Sequence, residues 1–136
     1  MHETLKELSV WIHLLTMVGA FGTLLVSLLG WSAEQKKDPD LNRRTNRFAS
    51  QLIAVGFLAG LAAYFFTIKV SVATDIDLPS SLHMTVGIKF LLLLGVGACL
   101  GISSGMIRKE RLSTAAGQRG LAAGLLAIAA LLGVWI

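Results

Sequence analysis

WIHLLTMVGAFGTLLVSLLGW, residues 11–31, decides the fold. It runs for about twenty residues without a formal charge, which at ~1.5 Å of rise per residue is enough to cross a ~30 Å hydrocarbon layer. One ionisable residue, His13, sits near its start. An ionisable side chain inside a span is costly and normally turns toward protein, so His13 is the first candidate for function.

The rest of the chain agrees with a membrane reading. Of 136 residues, 54% are hydrophobic and 15% charged. Mean hydropathy is +0.71. A soluble domain carries ~25% charged residues, so this composition belongs to a bilayer protein and leaves no room for a soluble enzyme module. The acidic N-terminal MHETLKEL lacks the basic region of a signal peptide, so the first span is expected to stay in the mature protein. Cys99 is the only cysteine and lies in an apolar run, which points to a buried, inert thiol.

Four spans follow from the apolar runs, at about 8–31, 48–69, 80–106 and 120–136, forming a single domain over residues 1–136. The segments between them, SAEQKKDPDLNRRTNR, VSVATDIDLPSS and IRKERLSTAAGQR, read as solvated loops. Nine of the twelve Lys and Arg residues fall in the first and third of these: Lys36, Lys37, Arg43, Arg44, Arg47, Arg108, Lys109, Arg111 and Arg119. The bias toward basic residues in cytoplasmic loops then places both loops in the cytoplasm and both termini outside. The localisation that follows is the cell inner (cytoplasmic) membrane, crossed several times, with Trp31 and Trp135 as interface anchors. Because the positive charge is a topology signal, it carries no nucleic-acid reading. With short connections, the expected architecture is an all-α membrane protein, an up-down antiparallel four-transmembrane-helix bundle.

Small residues should set how the helices pack. Gly97, Gly101 and Gly105 recur every fourth position in span three, Gly56 and Gly60 in span two, and Ala116, Gly120 and Gly124 in span four. These faces serve either packing inside the bundle or docking to a homodimer partner or a larger membrane complex. In span one, His13, Thr16, Ala20, Thr23 and Ser27 recur at intervals of three or four, which marks the inward face.

Three side chains could carry chemistry: His13, His83 and Lys89. His13 and His83 lie at similar depth in spans expected to run the same way, so two imidazoles could approach one metal from opposite sides. Haem iron suits that arrangement, with an apolar slot for the macrocycle and Gly19, Gly22 and Gly87 nearby to admit a flat ring. The bland alternatives stay open. His83 is close enough to a helix end to be a wetted interfacial residue, and His13 could bond Thr16 or a backbone carbonyl. Lys89 could snorkel to the surface or hold a carboxylate such as a haem propionate. Met17, Met84 and His83 offer a soft set for copper, although Met at helical spacing more often fills a core. No span holds Asp or Glu, which argues against a proton-relay transporter.

The segments WIHLLTMVGAFG (11–22) and GIKFLLLL (87–94) carry a resemblance. Across the four spans the chain resembles a group of small bacterial four-helix membrane proteins. That group includes the flavin-independent membrane-bound protoporphyrinogen oxidase and the copper-resistance D-type membrane domains. In the oxidase family a first-span histidine and a third-span lysine form the functional pair. The resemblance therefore implies roles for His13 and Lys89, a b-type haem, and oxidoreductase activity on a porphyrinogen. The expectation is a small integral membrane protein binding haem b for electron transfer or porphyrin redox chemistry, with His13 and His83 on the iron and Lys89 at the site. The alternative is a non-catalytic accessory subunit of a larger membrane complex.

Overall fold

The computed structural model describes residues 2–78 and 80–134, with side chains described except at 2, 81 and 132–134. Pro79 and the interface anchor Trp135 lie outside the described residues. All regular structure among the described residues is helical: α1 (His2–Leu25), a π-helical turn (Val26–Gly30), α2 (Ala33–Lys36), α3 (Pro39–Thr74), α4 (Ser80–Arg108) and α5 (Leu112–Val134). Four of these helices are long and apolar enough to cross a membrane.

Local chemistry sets the ends. Ser27 donates its hydroxyl back to Leu24 O at 2.7 Å within the widened turn, and Trp31 leaves it in an extended conformation. Side-chain bonds of this kind compete with the regular helical ladder and bend it. Ser32 and Gln35 then form a reciprocal capping box over α2. Asp38 caps α3, accepting from Asp40 N at 3.0 Å and Leu41 N at 3.3 Å, and Pro39 takes the first helical position. The asparagine replacement should preserve this cap. Asp38→Ala is expected to lower stability by about 1 kcal/mol in detergent unfolding while Asp38→Asn stays near wild type.

The segment 32–47, expected as a loop, is thus mostly helix. α3 has 36 residues, or ~54 Å at ~1.5 Å each, well beyond a ~30 Å hydrocarbon layer. Its polar first turns are an extension of the spanning helix. The third segment is helical on both sides of a tight turn at Glu110, whose φ of 59° is left-handed. Arg111 N closes that turn on Met106 O at 2.8 Å.

α1 packs chiefly on α3 and α4 chiefly on α5, and the two pairs join along the α3–α4 and α1–α5 seams. The centre is made of small and medium side chains, including Ala20, Leu24, Ala49, Ile53, Val96, Leu100, Ala122 and Leu126. Cys99 is buried among them with its thiol free. Many large apolar side chains remain exposed, such as Val18, Leu29, Leu58, Leu91 and Leu131. A surface of that kind suits lipid rather than water.

The inward stripe of α1 is as the spacing requires: Ala20 and Ser27 are buried, and His13, Thr16 and Thr23 are half-buried. The glycine faces divide. A Cβ at Gly56 would stand 2.6 Å from Thr16 Oγ1, and one at Gly60 would stand 2.9 Å from His13 Nδ1, so α3 uses its glycines to admit α1. A Cβ at Gly97, Gly101 or Gly105 would meet nothing within 4 Å, so no neighbouring helix packs closely against the α4 stripe.

Candidate functional site

α1 and α3 come close enough for one specific contact. His13 Nδ1 lies 2.6 Å from the carbonyl oxygen of Gly56. A carbonyl only accepts, so Nδ1 carries the proton and donates it. In the neutral ring Nε2 then holds the lone pair. Metal-bound histidines normally donate their other ring N–H in this way, because the bond fixes both tautomer and ring orientation. Gly60 makes it possible, since any side chain there would collide with the imidazole. The glycines that matter to His13 are therefore on α3, whereas Gly22 and Gly87 have open space beside them.

The imidazole forms part of the wall of a cavity of about 640 Å³ between α1, α3, α4 and α5. Its lining is mostly apolar, with Met17, Phe57, Phe90 and Leu126 among its members, and the polar side chains on it are His13, Tyr64, Thr67 and Lys89. Phe57 and Phe90 close one side with ring centroids 5.1 Å apart. Small-molecule sites have this character: roughly 300–1,000 Å³, apolar walls and a few convergent polar groups.

No protein-family profile, curated protein or solved structure matches the chain. What the site can do must come from its own geometry.

Of the side chains expected from sequence, His13 and Lys89 share the cavity. Among the described residues the single ion pair is Arg43–Asp40, at 3.1 Å, so the Lys89 ammonium has no carboxylate against it. His83 is exposed and is not on the cavity wall. Its Nδ1 shares a hydrogen bond with the hydroxyl of Tyr64, which is on the wall, and the two rings meet edge-on at 83°. His83 thus reaches the cavity through Tyr64. Among the soft candidates for copper, Met17 lines the cavity while Met84 is exposed. No group of three His, Cys, Asp or Glu side chains is placed to hold a metal ion among the described residues.

Tyr64 and Arg119 are the two functional candidates that sequence reasoning missed. Tyr64 sits in an apolar run, AAYFF, where an aromatic reads as core. Its one signal is the hydroxyl, a polar tip that seeks a partner where the ring packs against protein. Arg119 reads as a loop charge but is fully buried on α5.

Proposed function

We propose that this chain is an antiparallel four-span bundle in a bacterial inner membrane, with its basic segments cytoplasmic, and that it binds haem b in the cavity. The single observation behind this reading is the Nδ1–H bond from His13 to Gly56 O, which leaves Nε2 available beside an apolar cavity. A planar macrocycle needs an apolar slot and an imidazole with a fixed tautomer, and the residues present fit both requirements. His13 would hold the iron, Lys89 would meet a propionate carboxylate, and Phe57 and Phe90 would flank the ring. When bound, haem supplies one-electron chemistry, as electron transfer or porphyrin oxidation requires. Tyr64 and His83 would stand between the cavity and solvent, able to pass a proton without an acidic residue in the span.

Reduced-minus-oxidised spectra of protein purified in detergent, after expression with ample haem, test the reading. Bands of a b-type haem in stoichiometric amount are expected, and a colourless, folded preparation would overturn it. Lys89→Met should retain those bands with haem affinity weaker by about 10- to 100-fold, the value of a lost hydrogen bond to a charged group. Unchanged affinity would remove Lys89 from the site.

One observation favours the accessory-subunit reading. Gly97, Gly101 and Gly105 leave an open small-residue face on α4, the kind of surface on which a neighbouring transmembrane helix docks. Copurification with a stoichiometric membrane partner and no pigment would select it.

A further inference from the structure

The buried polar side chains of this protein are gathered at one level, far from the cavity. Among the described residues they are Ser27, Asn42, Asn46, Ser103 and Arg119. Bonds between helices hold four of them: Asn46 Nδ2 donates to Leu100 O at 3.1 Å, Ser103 Oγ donates to Ala115 O at 3.2 Å, and Arg119 bonds Asn42. Arg119 Nη2 donates to Asn42 Oδ1 at 2.7 Å, and Asn42 Nδ2 in turn donates to Asp38 O and Lys36 O. The layer therefore holds the capped start of α3 against α5.

Its hydrogen bonding is incomplete in one place. Arg119 is 1% exposed, yet its Nε and Nη1 have no partner. The only other buried side-chain atom without one, among the described residues, is Asn46 Oδ1 in the same layer. The half-exposed Trp31 ring lies over the guanidinium at 5.6 Å, which offsets part of the lost hydration but supplies no acceptor. An arginine is always charged, and a buried charge without a counter-ion is strongly unfavourable. The nearby acids are otherwise engaged or exposed: Asp38 caps α3, Asp40 pairs with Arg43, and Glu34 and Glu110 are exposed. Around this level lie most of the chain's basic residues, including Arg43, Arg47, Arg108 and Arg111.

We propose that Arg119, with Trp31 and Asn42, forms a binding site for a phosphate-bearing anion, supplied by the headgroup of an anionic membrane lipid. Guanidinium is the side chain best matched to phosphate oxygens, and basic pockets between transmembrane helices on the cytoplasmic side take such headgroups. Trp31 stands between the charge and the surface, so it reports on occupancy. The inference does not depend on haem, because no residue of the cavity takes part.

The test uses full-length protein in neutral detergent with Trp11→Phe and Trp135→Phe, leaving Trp31 as the only tryptophan. Phosphatidylglycerol, phosphatidylcholine of the same acyl chains, sodium phosphate and sodium chloride are titrated separately at matched ionic strength. Phosphatidylglycerol is expected to raise the melting temperature to a plateau and to shift Trp31 emission, with no response to phosphatidylcholine or chloride. The same response to sodium phosphate would support the site and assign it to free phosphate. Arg119→Gln should lose both responses, while Arg108→Gln keeps them. Asn42→Asp exchanges the two bonds that Asn42 Nδ2 donates for a carboxylate against the guanidinium, so it should fold with lowered stability and lose the response even if Arg119→Gln does not fold. Equal effects of the two lipids, or a full response in Asn42→Asp, would overturn the proposal, as would no response to any phosphate, which would mean that water alone completes the layer.

Discussion

Replacing His13 with alanine is expected to abolish haem uptake while leaving the four-helix fold intact. Among the described residues His13 is the one imidazole on the cavity wall, so no other of them can take over its ring nitrogen. The structural loss is small by comparison. The His13–Gly56 bond contributes about 1 kcal/mol net, and the carbonyl left behind belongs to a helix that already uses it. Pigment and stability therefore separate: the difference bands should vanish while melting temperature falls only slightly. Added imidazole should restore part of the absorption, because the variant leaves a space of that shape beside Gly60. Bands of unchanged position and amount in His13→Ala would rule out His13 as an axial ligand. His83→Ala gives a sharper contrast. If His83 acts only through Tyr64, the bands persist and proton-coupled steps slow. Were it the second axial ligand, the low-spin signature would be lost.

The apolar helices and the inward face of α1 were legible in the sequence because both depend on periodicity alone, and a span of twenty uncharged residues has few other uses. The start of α3 was not, because dense charge reads as loop. Asp38-Pro39 is in fact a helix-start signal, and Ser32 with Gln35 is another, so the information was present but outweighed by charge. Arg119 misled for a related reason. Counting basic residues assigns each to a side of the membrane without asking whether its side chain turns inward, and only Asn42, 77 positions away, shows that this one does. The Tyr64–His83 pair, 19 positions apart, is equally invisible to spacing rules, since it depends on how α3 and α4 meet. Matched depth in the sequence predicts that His13 and His83 meet. In the structure the cavity wall includes His13 and Lys89, because the seam beside α4 turns Lys89 inward.

Gly56→Ala should be the most damaging small substitution in the bundle. Its new Cβ would lie 2.6 Å from Thr16 Oγ1 and 2.7 Å from Met17 Cε. Met17 can rotate its terminal methyl away, but Thr16 is branched and its hydroxyl is held by Ile12 O at 2.7 Å. Relief has to come from moving α1 off α3, across the most extensive helix pair in the protein. Overpacking of this kind costs about 1–3 kcal/mol. A second effect follows from the same displacement: the Gly56 carbonyl moves away from His13, so the haem bands should weaken or shift together with the fall in melting temperature. Gly97→Ala and Gly101→Ala are the controls, since each adds the same methyl to a helix where nothing lies within 4 Å. Those variants should stay within about 0.5 kcal/mol of wild type as isolated bundles, and any fall in oligomer size they cause would report on docking at α4. A Gly56→Ala protein as stable as Gly97→Ala would show that α1 and α3 do not rely on close approach at this point.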